Sequence, residues 1–361
     1  MNTLKKIGLT ALGTSLVAGS AYAGEITASG DAGYTFKSEE IGVRSDEGYG
    51  YNHDITFSGS GELDNGFTVS TTMILVEGAT LSSSNVALTM GGMGTITIGG
   101  GLGNVGGGFD AVTPFAYEEN HDGMATTTAI DSLGSLSDGN SILYAAPALE
   151  LGGATLNITA GYTPEAGDSV TGEGAVSAQS ANFGSARTLG AKVSMAGLTA
   201  GIFGEEVDGD SGDGSVSGAS RRGDAMSATW FANYSFGPVS VGYQKAGLDH
   251  GINAAATGAT TAKTVAAAGG FFESEMMSIA FNVNENLSVS YGELTETYNA
   301  QSNVASGSEI ANVDMESDSI QFAYTMGSMS IRGYQTETDN PGWDANADSD
   351  EVTELAVNFA F

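Results

Sequence analysis

The stretch Glu351–Phe361, E-V-T-E-L-A-V-N-F-A-F, decides how the chain must be read. One alternate set is Thr353, Leu355, Val357, Phe359 and Phe361; the other is Val352, Glu354, Ala356, Asn358 and Ala360. A period of two, with one apolar face and one small or polar face, describes a strand between two different environments. A soluble sheet rarely leaves an exposed edge that stops on Phe. A strand that closes a barrel in lipid has no free edge, and its apolar face has hydrocarbon to sit in. A buried sandwich strand is the alternative, and the rest of the chain separates the two.

Residues 1–23 read as a secretory signal: M-N-T-L-K-K, an apolar run broken by Gly and Thr, then Ala21-Tyr22-Ala23 as the cleavage site. That leaves residues 24–361, about 338 in all, as one mature domain. No other segment approaches the apolar run that a membrane helix needs, which leaves barrel strands open because they alternate. The chain has no cysteine, so neither disulfides nor thiolate sites exist. Lys5 and Lys6 are the only charges of the signal, so the mature chain carries 9 basic and 43 acidic residues, a net of −34. Nucleic acid is excluded as a partner by that balance, and cations are favoured. With 54 Gly and 5 Pro, tight turns and strands suit the chain better than helices.

Taken in order, sixteen strands are expected: Glu25–Phe36, Tyr49–Leu63, Phe67–Val76, Asn85–Met90, Thr95–Gly99, Ser141–Ala146, Thr155–Tyr162 and Thr188–Met195 in the first half. Leu198–Glu205, Asp224–Tyr234, Val239–Ala246, Phe271–Val283, Leu287–Thr297, Asp318–Thr325, Met329–Glu337 and Glu351–Phe361 follow. Asp64-Asn65-Gly66 is the strongest of the hairpin turns, and Pro147–Ala154 the least tidy. Seven connections are short. The eight between them, 37–48, 77–84, 100–140, 163–187, 206–223, 247–270, 298–317 and 338–350, are longer, polar and rich in Gly or Asp. Strict alternation puts turns at one end and loops at the other, the anatomy of an outer-membrane barrel; a soluble sandwich would not sort loop length by strand parity. Val239, Val241 and Tyr243 oppose Ser240, Gly242 and Gln244, and Leu287, Val289 and Tyr291 oppose Ser288, Ser290 and Gly292. The second sets suit a water-filled lumen, and a barrel of this size is wide enough for one.

The chain resembles a general porin of the alphaproteobacterial type. The resemblance rests on Ala21-Tyr22-Ala23, the G-T-I-T-I-G run at Gly94–Gly99 before a long third loop, Asn140-Ser-Ile-Leu-Tyr144, and terminal Phe361. It implies an all-β, 16-stranded antiparallel transmembrane barrel in the outer membrane of a Gram-negative bacterium, with the third loop folded inward. It further implies a homotrimer latched by loop 77–84 (including Glu77), contact with outer-membrane lipid and lipopolysaccharide, and a C-terminal strand recognised by the assembly machinery. The activity implied is passive diffusion of ions and small hydrophilic solutes, with no catalysis and no required cofactor. Basic wall residues usually face the acidic third loop in that family, yet not one Lys or Arg lies between Arg44 and Arg187 here.

The candidate constriction is Gly100–Asn140, with Asp110, Glu118, Glu119, Asp122, Asp131 and Asp138. Loops this long are functional or disordered in compact folds, and carboxylates confined in a channel concentrate cations. A cation-preferring pore is therefore expected. The residual basic side is assigned to Arg44, Lys192 and Arg332, the last two on the polar parity of their strands. Asp208–Gly214 and Asp344–Asp350 invite a Ca2+ reading without meeting the EF-hand pattern. Gly101-Leu-Gly103-Asn-Val-Gly106 matches G-x-G-x-x-G but opens no helix, so nucleotide binding is rejected. His53, His121 and His250 have no zinc spacing. The competing functions are a substrate-specific channel, an acidic calcium-binding surface protein and a barrel hydrolase; no repeat supports the second and no nucleophile motif the third.

Overall fold

The computed structural model describes residues 26–76, 78, 80–100, 105–122, 128–137, 139–166, 183–209, 224–249, 251, 270–300 and 313–361. The signal segment lies outside them. The first five strands are β1 (Thr27–Ile41), β2 (Arg44–Glu62), β3 (Thr68–Val76), β4 (Thr80–Thr89) and β5 (Thr95–Gly100). After the long loop come β6 (Ser141–Ala145), β7 (Leu149–Leu151), β8 (Ala154–Thr163), β9 (Phe183–Met195), β10 (Leu198–Gly209) and β11 (Ala225–Phe236). The remainder are β12 (Val239–Asp249), β13 (Gly270–Asn282), β14 (Leu287–Ala300), β15 (Val313–Met326), β16 (Met329–Asp339) and β17 (Asp350–Ala360). Both β6 and β7 pair with β8, and Pro147 stands in the gap between them, where its missing N–H cannot join the ladder. They fill one wall position, so the barrel is sixteen-stranded.

The wall is antiparallel throughout and closes on itself, because β1 pairs with β2 on one side and with β17 on the other. Gly30 and Phe361 exchange both backbone hydrogen bonds at 2.9 Å, and the seam continues through Tyr34 opposite Val357 and Phe36 opposite Leu355. Leu355, Phe359, Ile320, Phe322, Tyr291 and Ile279 point outward and are exposed, while Val352, Ala356, Gln321 and Ser290 point inward and are buried. This is the alternation expected from the sequence. Above the apolar belt, Glu293, Asp318, Glu337, Glu351 and Glu40 stand directly opposite one another across β14, β15, β16, β17 and β1, all exposed. Like charges in register are destabilising unless solvated, so this row marks the level at which the outer wall leaves hydrocarbon for water.

Two of the expected long connections are tight. Residues 37–48 extend β1 and β2, pairing Lys37 with Gly48 and Ile41 with Arg44, with only Gly42-Val43 left as the turn. Residues 80–84 belong to β4. These segments are mostly polar on both faces, so no apolar alternation betrays them. The turn expected somewhere in Pro147–Ala154 is Gly152-Gly153, both at positive φ (62° and 100°). The Asp64-Asn65-Gly66 turn forms as expected, with Asn65 Oδ1 accepting from Phe67 N at 3.1 Å and Gly66 at φ 79°.

An Arg in the lipid-facing belt leaves a charge in hydrocarbon. Ile279→Arg is expected to destabilise the barrel by about 2–4 kcal/mol, measured by denaturant unfolding from lipid vesicles. A change within error would mean that this face does not meet lipid.

Candidate functional site

The long loop enters the barrel. From Gly108 to Glu118 it crosses the strands at the inner wall, and successive strands meet it with one polar side chain after another. Lys192 on β9 donates to Gly108 O, and Asn233 on β11 donates to Val112 O at 2.7 Å. Gln244 on β12 donates to Phe109 O at 2.5 Å and accepts from Val112 N at 2.8 Å. Ser278 on β13 donates to Pro114 O at 2.6 Å, and Ser290 on β14 accepts from Ala116 N at 2.8 Å. Gln321 on β15 takes Tyr117 N and Glu118 N at 3.0 and 3.1 Å and returns a bond to Glu118 O at 2.6 Å. Irregular backbone away from water needs such partners.

A second pass returns across the same strands. Glu296 on β14 accepts from Ala129 N at 2.7 Å. Glu205 on β10 accepts from Gly134 N and Ser137 N at 2.9 and 3.2 Å and from Ser227 Oγ at 2.5 Å. Thr163 on β8 donates to Ser137 O at 2.7 Å. Ile130 and Leu133 pack with Ala246, Met276 and Leu294, and Ala129 and Leu136 join Phe272, Tyr298 and Trp343 in a buried cluster. Loop and inner wall therefore share one apolar core.

The wall is cut to receive the loop. A Cβ on Gly190 would stand 2.5 Å from the Phe109 ring, one on Gly201 3.1 Å from the same ring, and one on Gly242 or Gly292 would collide with Pro114 or Asn120. Gly242 and Gly292 were expected to border water; they border the loop. Glu354, on the small or polar face of the last strand, accepts from Tyr117 Oη at 2.9 Å and Tyr334 Oη at 3.2 Å.

Of the acidic candidates, Glu118, Glu119 and Asp122 come together, one carboxylate oxygen from each lying within 4.8 Å of the others. Glu119 N donates to Asp122 Oδ2 at 3.0 Å. Asp131 is instead 3.4 Å from Nε2 of buried His121, which ties the two passes together. Asp110 is not part of that group but lies within electrostatic reach of Glu119, Asp131 and Lys192. Asp138 lies outside the described residues. Burial and the neighbouring Glu119 push the Asp122 carboxyl up to about 8. Burial, then the charges of Glu119 and Asp131, push Asp110 up to about 6. Burial also raises Glu118. Burial opposes the charge on His121, but the hydrogen bond to Asp131 and the surrounding acids outweigh it and raise that group.

Of the basic candidates, Arg332 stacks on Tyr117, its guanidinium carbon 4.6 Å from the ring centroid, beside the acidic group. Lys192 stands at the other end of the outbound pass, 4.5 Å from the Phe109 centroid. Arg44 joins neither: it sits exposed at the β1–β2 hairpin tip, 3.1 Å from Asp46. The loops expected to hold Ca2+ gather no carboxylates among the described residues. Asp344 accepts from Asn346, Asp350 from Gly42 N, and Asp208 from Ser185; residues 210–223 lie outside. The sequence reading places Gln244 on the inward face but assigns no tethering role to it or to Asn233, Gln321, Glu205 and Glu296. Their signal was present as large polar residues on the inward parity of otherwise small-residue faces.

Residues 8–286 match the family model described as Gram-negative porin. The chain belongs to the Gram-negative porin family. The porin's fold is similar to that of the anion-selective porin from Comamonas acidovorans, at 14% identity and TM-score 0.63, covering 93% of this chain and 99% of that one. It is similar to another refined porin structure at 18% identity and TM-score 0.59, covering 93% and 100%. The trimer form of OmpT from Vibrio cholerae matches at 11% identity and TM-score 0.56, covering 93% and 99%. No curated protein sequence matches the chain. As a porin it is an outer-membrane channel and not an enzyme.

Because Gly292 makes room for Asn120, Gly292→Leu is expected to lift the loop from the wall at a cost of about 1–3 kcal/mol. Chymotrypsin should then cut after Phe115 or Tyr117, which the parent protects. Identical digestion of parent and variant would contradict the wall-bound loop.

Proposed function

We propose that this porin passes ions and small hydrophilic solutes by passive diffusion with a preference for cations, and that residues 105–122 and 128–137 narrow its pore. The observation that carries this reading is the group Glu118, Glu119 and Asp122 on a segment hydrogen-bonded to the inner wall, with Arg332 as the basic group stacked beside it. Fixed charge of one sign in a confined aqueous path raises the local concentration of counter-ions. The net charge of −32 acts in the same direction. That the Comamonas porin is anion-selective does not weigh against this, since selectivity resides in lining side chains and at 14% identity the likeness is one of fold.

The calcium reading, moved from the loops at 208–214 and 344–350, belongs within this proposal to the same three carboxylates, where Ca2+ would compete with monovalent cations. Homotrimeric assembly is supported by family membership and by the trimer form of OmpT. The latch proposed for it includes Glu77, which lies outside the described residues. Outer-membrane lipid and lipopolysaccharide are proposed as partners of the apolar belt and its polar border, and the assembly machinery as the reader of the C-terminal strand.

Replacing Glu118, Glu119 and Asp122 by their amides is expected to lower the potassium-to-chloride permeability ratio in planar bilayers by about twofold or more. An unchanged ratio rejects the assignment. The ratio should also rise with pH. Asp110, pushed up to about 6, and Asp122, pushed up to about 8, are neutral below those values and become negative above them. A reversal potential that stays flat from about pH 5 to about pH 9 would count against these carboxyls lining the ion path.

A further inference from the structure

A cavity of about 350 Å3 opens inside the barrel, between the start of the loop segment and the wall of β5, β6, β8 and β9. Val105, Phe109 and Leu143 give it an apolar side; Asn157, Thr159 and Lys192 give it a polar one. Asn157 stands opposite Lys192 in the β8–β9 register, so an amide and an ammonium share one end. Among the described residues Lys37, Arg44, Arg187 and Lys245 each pair with a carboxylate, whereas Lys192, like Arg332, forms no such pair. Its ammonium donates to Gly108 O and lies over the rings of Phe109 and Phe231, at 4.5 and 5.7 Å from their centroids. An ammonium has three donors, so capacity for an anionic acceptor remains. The size and the mixture of an apolar wall with a few convergent polar groups are those of a small-molecule site.

We propose that this cavity is a solute subsite for small amphiphilic monocarboxylates, the carboxylate on Lys192 and Asn157 and the apolar body against Val105, Phe109 and Leu143. The proposal rests on the channel reading but not on its cation preference: Glu118, Glu119 and Asp122 lie at the far end of the outbound pass, and of the acidic candidates Asp110 is within electrostatic reach of Lys192 without pairing with it. A solute of this kind would dwell in the pore, whereas one lacking either the charge or the apolar part would not.

Benzoate, acetate and benzylamine separate these requirements in single-channel recordings. Benzoate is expected to interrupt the current at a frequency proportional to its concentration; acetate and benzylamine are not. Lys192→Gln should reduce the benzoate interruptions roughly tenfold, as expected for a lost charged hydrogen bond, and Lys192→Arg should retain them. Interruptions that persist in Lys192→Gln, or that benzylamine reproduces, overturn the subsite. Equilibrium dialysis of benzoate against the porin in lipid nanodiscs gives a second reading that needs no current. Binding weakened by Lys192→Gln supports the subsite, and binding that is absent or indifferent to the substitution rejects it. A channel that never conducts in potassium chloride fails the channel reading alone, because dialysis still decides the subsite.

Discussion

A backbone amide that leaves water must find a partner, and for the whole wall that requirement is met at Gly30 and Phe361. Without their exchanged hydrogen bonds and the seam that follows them, β1 and β17 would each present a row of unpaired groups to lipid, at several kcal/mol per group. With the ring closed, each strand has one face for hydrocarbon and one for the interior. The outward Leu355 and Phe359 and the inward Val352 and Ala356 of one strand follow from that closure.

The same requirement governs the loop. Residues 108–118 are not helical or extended enough to satisfy themselves, so the wall must do it, and it does so with two devices used side by side. A glycine lets the loop approach, and a neighbouring polar residue of the same parity pairs with it: Gly242 with Gln244, Gly292 with Ser290, Gly190 with Lys192. The tethers come from β8 to β17. On the other side of the ring, β2 carries intermediate or exposed residues on both faces, as expected where water meets the inner wall. The loop thus thickens one side of the barrel.

How much of this the sequence reveals depends on whether a position faces one environment or two. Strands such as 287–297 are legible because lipid and interior demand opposite residues in alternation. The 37–48 hairpin is not, since both its faces meet water and Lys37 to Gly48 read as a polar loop. The inward faces are legible only in part. Small and polar residues are compatible with water and with a docked loop alike, so Gly292 carries no mark of Asn120 above it. Buried Gln244, Glu205 and Glu296 do carry one, because a large polar side chain on a small-residue face implies a partner. Arg44 was misplaced for the same reason as the hairpin it caps. Only the pairing of Ile41 with Arg44 shows that its strand runs past the membrane.

The way the loop is held also determines what its charges are free to do. Three carboxylates gathered within 4.8 Å repel one another, and an ion-paired anchor would loosen or tighten as they titrate. Between Val112 and Glu118 the wall instead holds the loop backbone with Asn233, Gln244, Ser278, Ser290 and Gln321, none of which titrates, and its one carboxylate there, Glu354, takes the Tyr117 hydroxyl. Proton loss from Asp122 or Asp110 therefore changes the charge of the loop without removing a backbone tether of the outbound pass. The return pass differs, because Glu205 and Glu296 hold it through carboxylates that are buried with it and accept backbone N–H groups directly. The outbound pass can vary its charge with its position fixed, while the return pass has its charge and its position bound together.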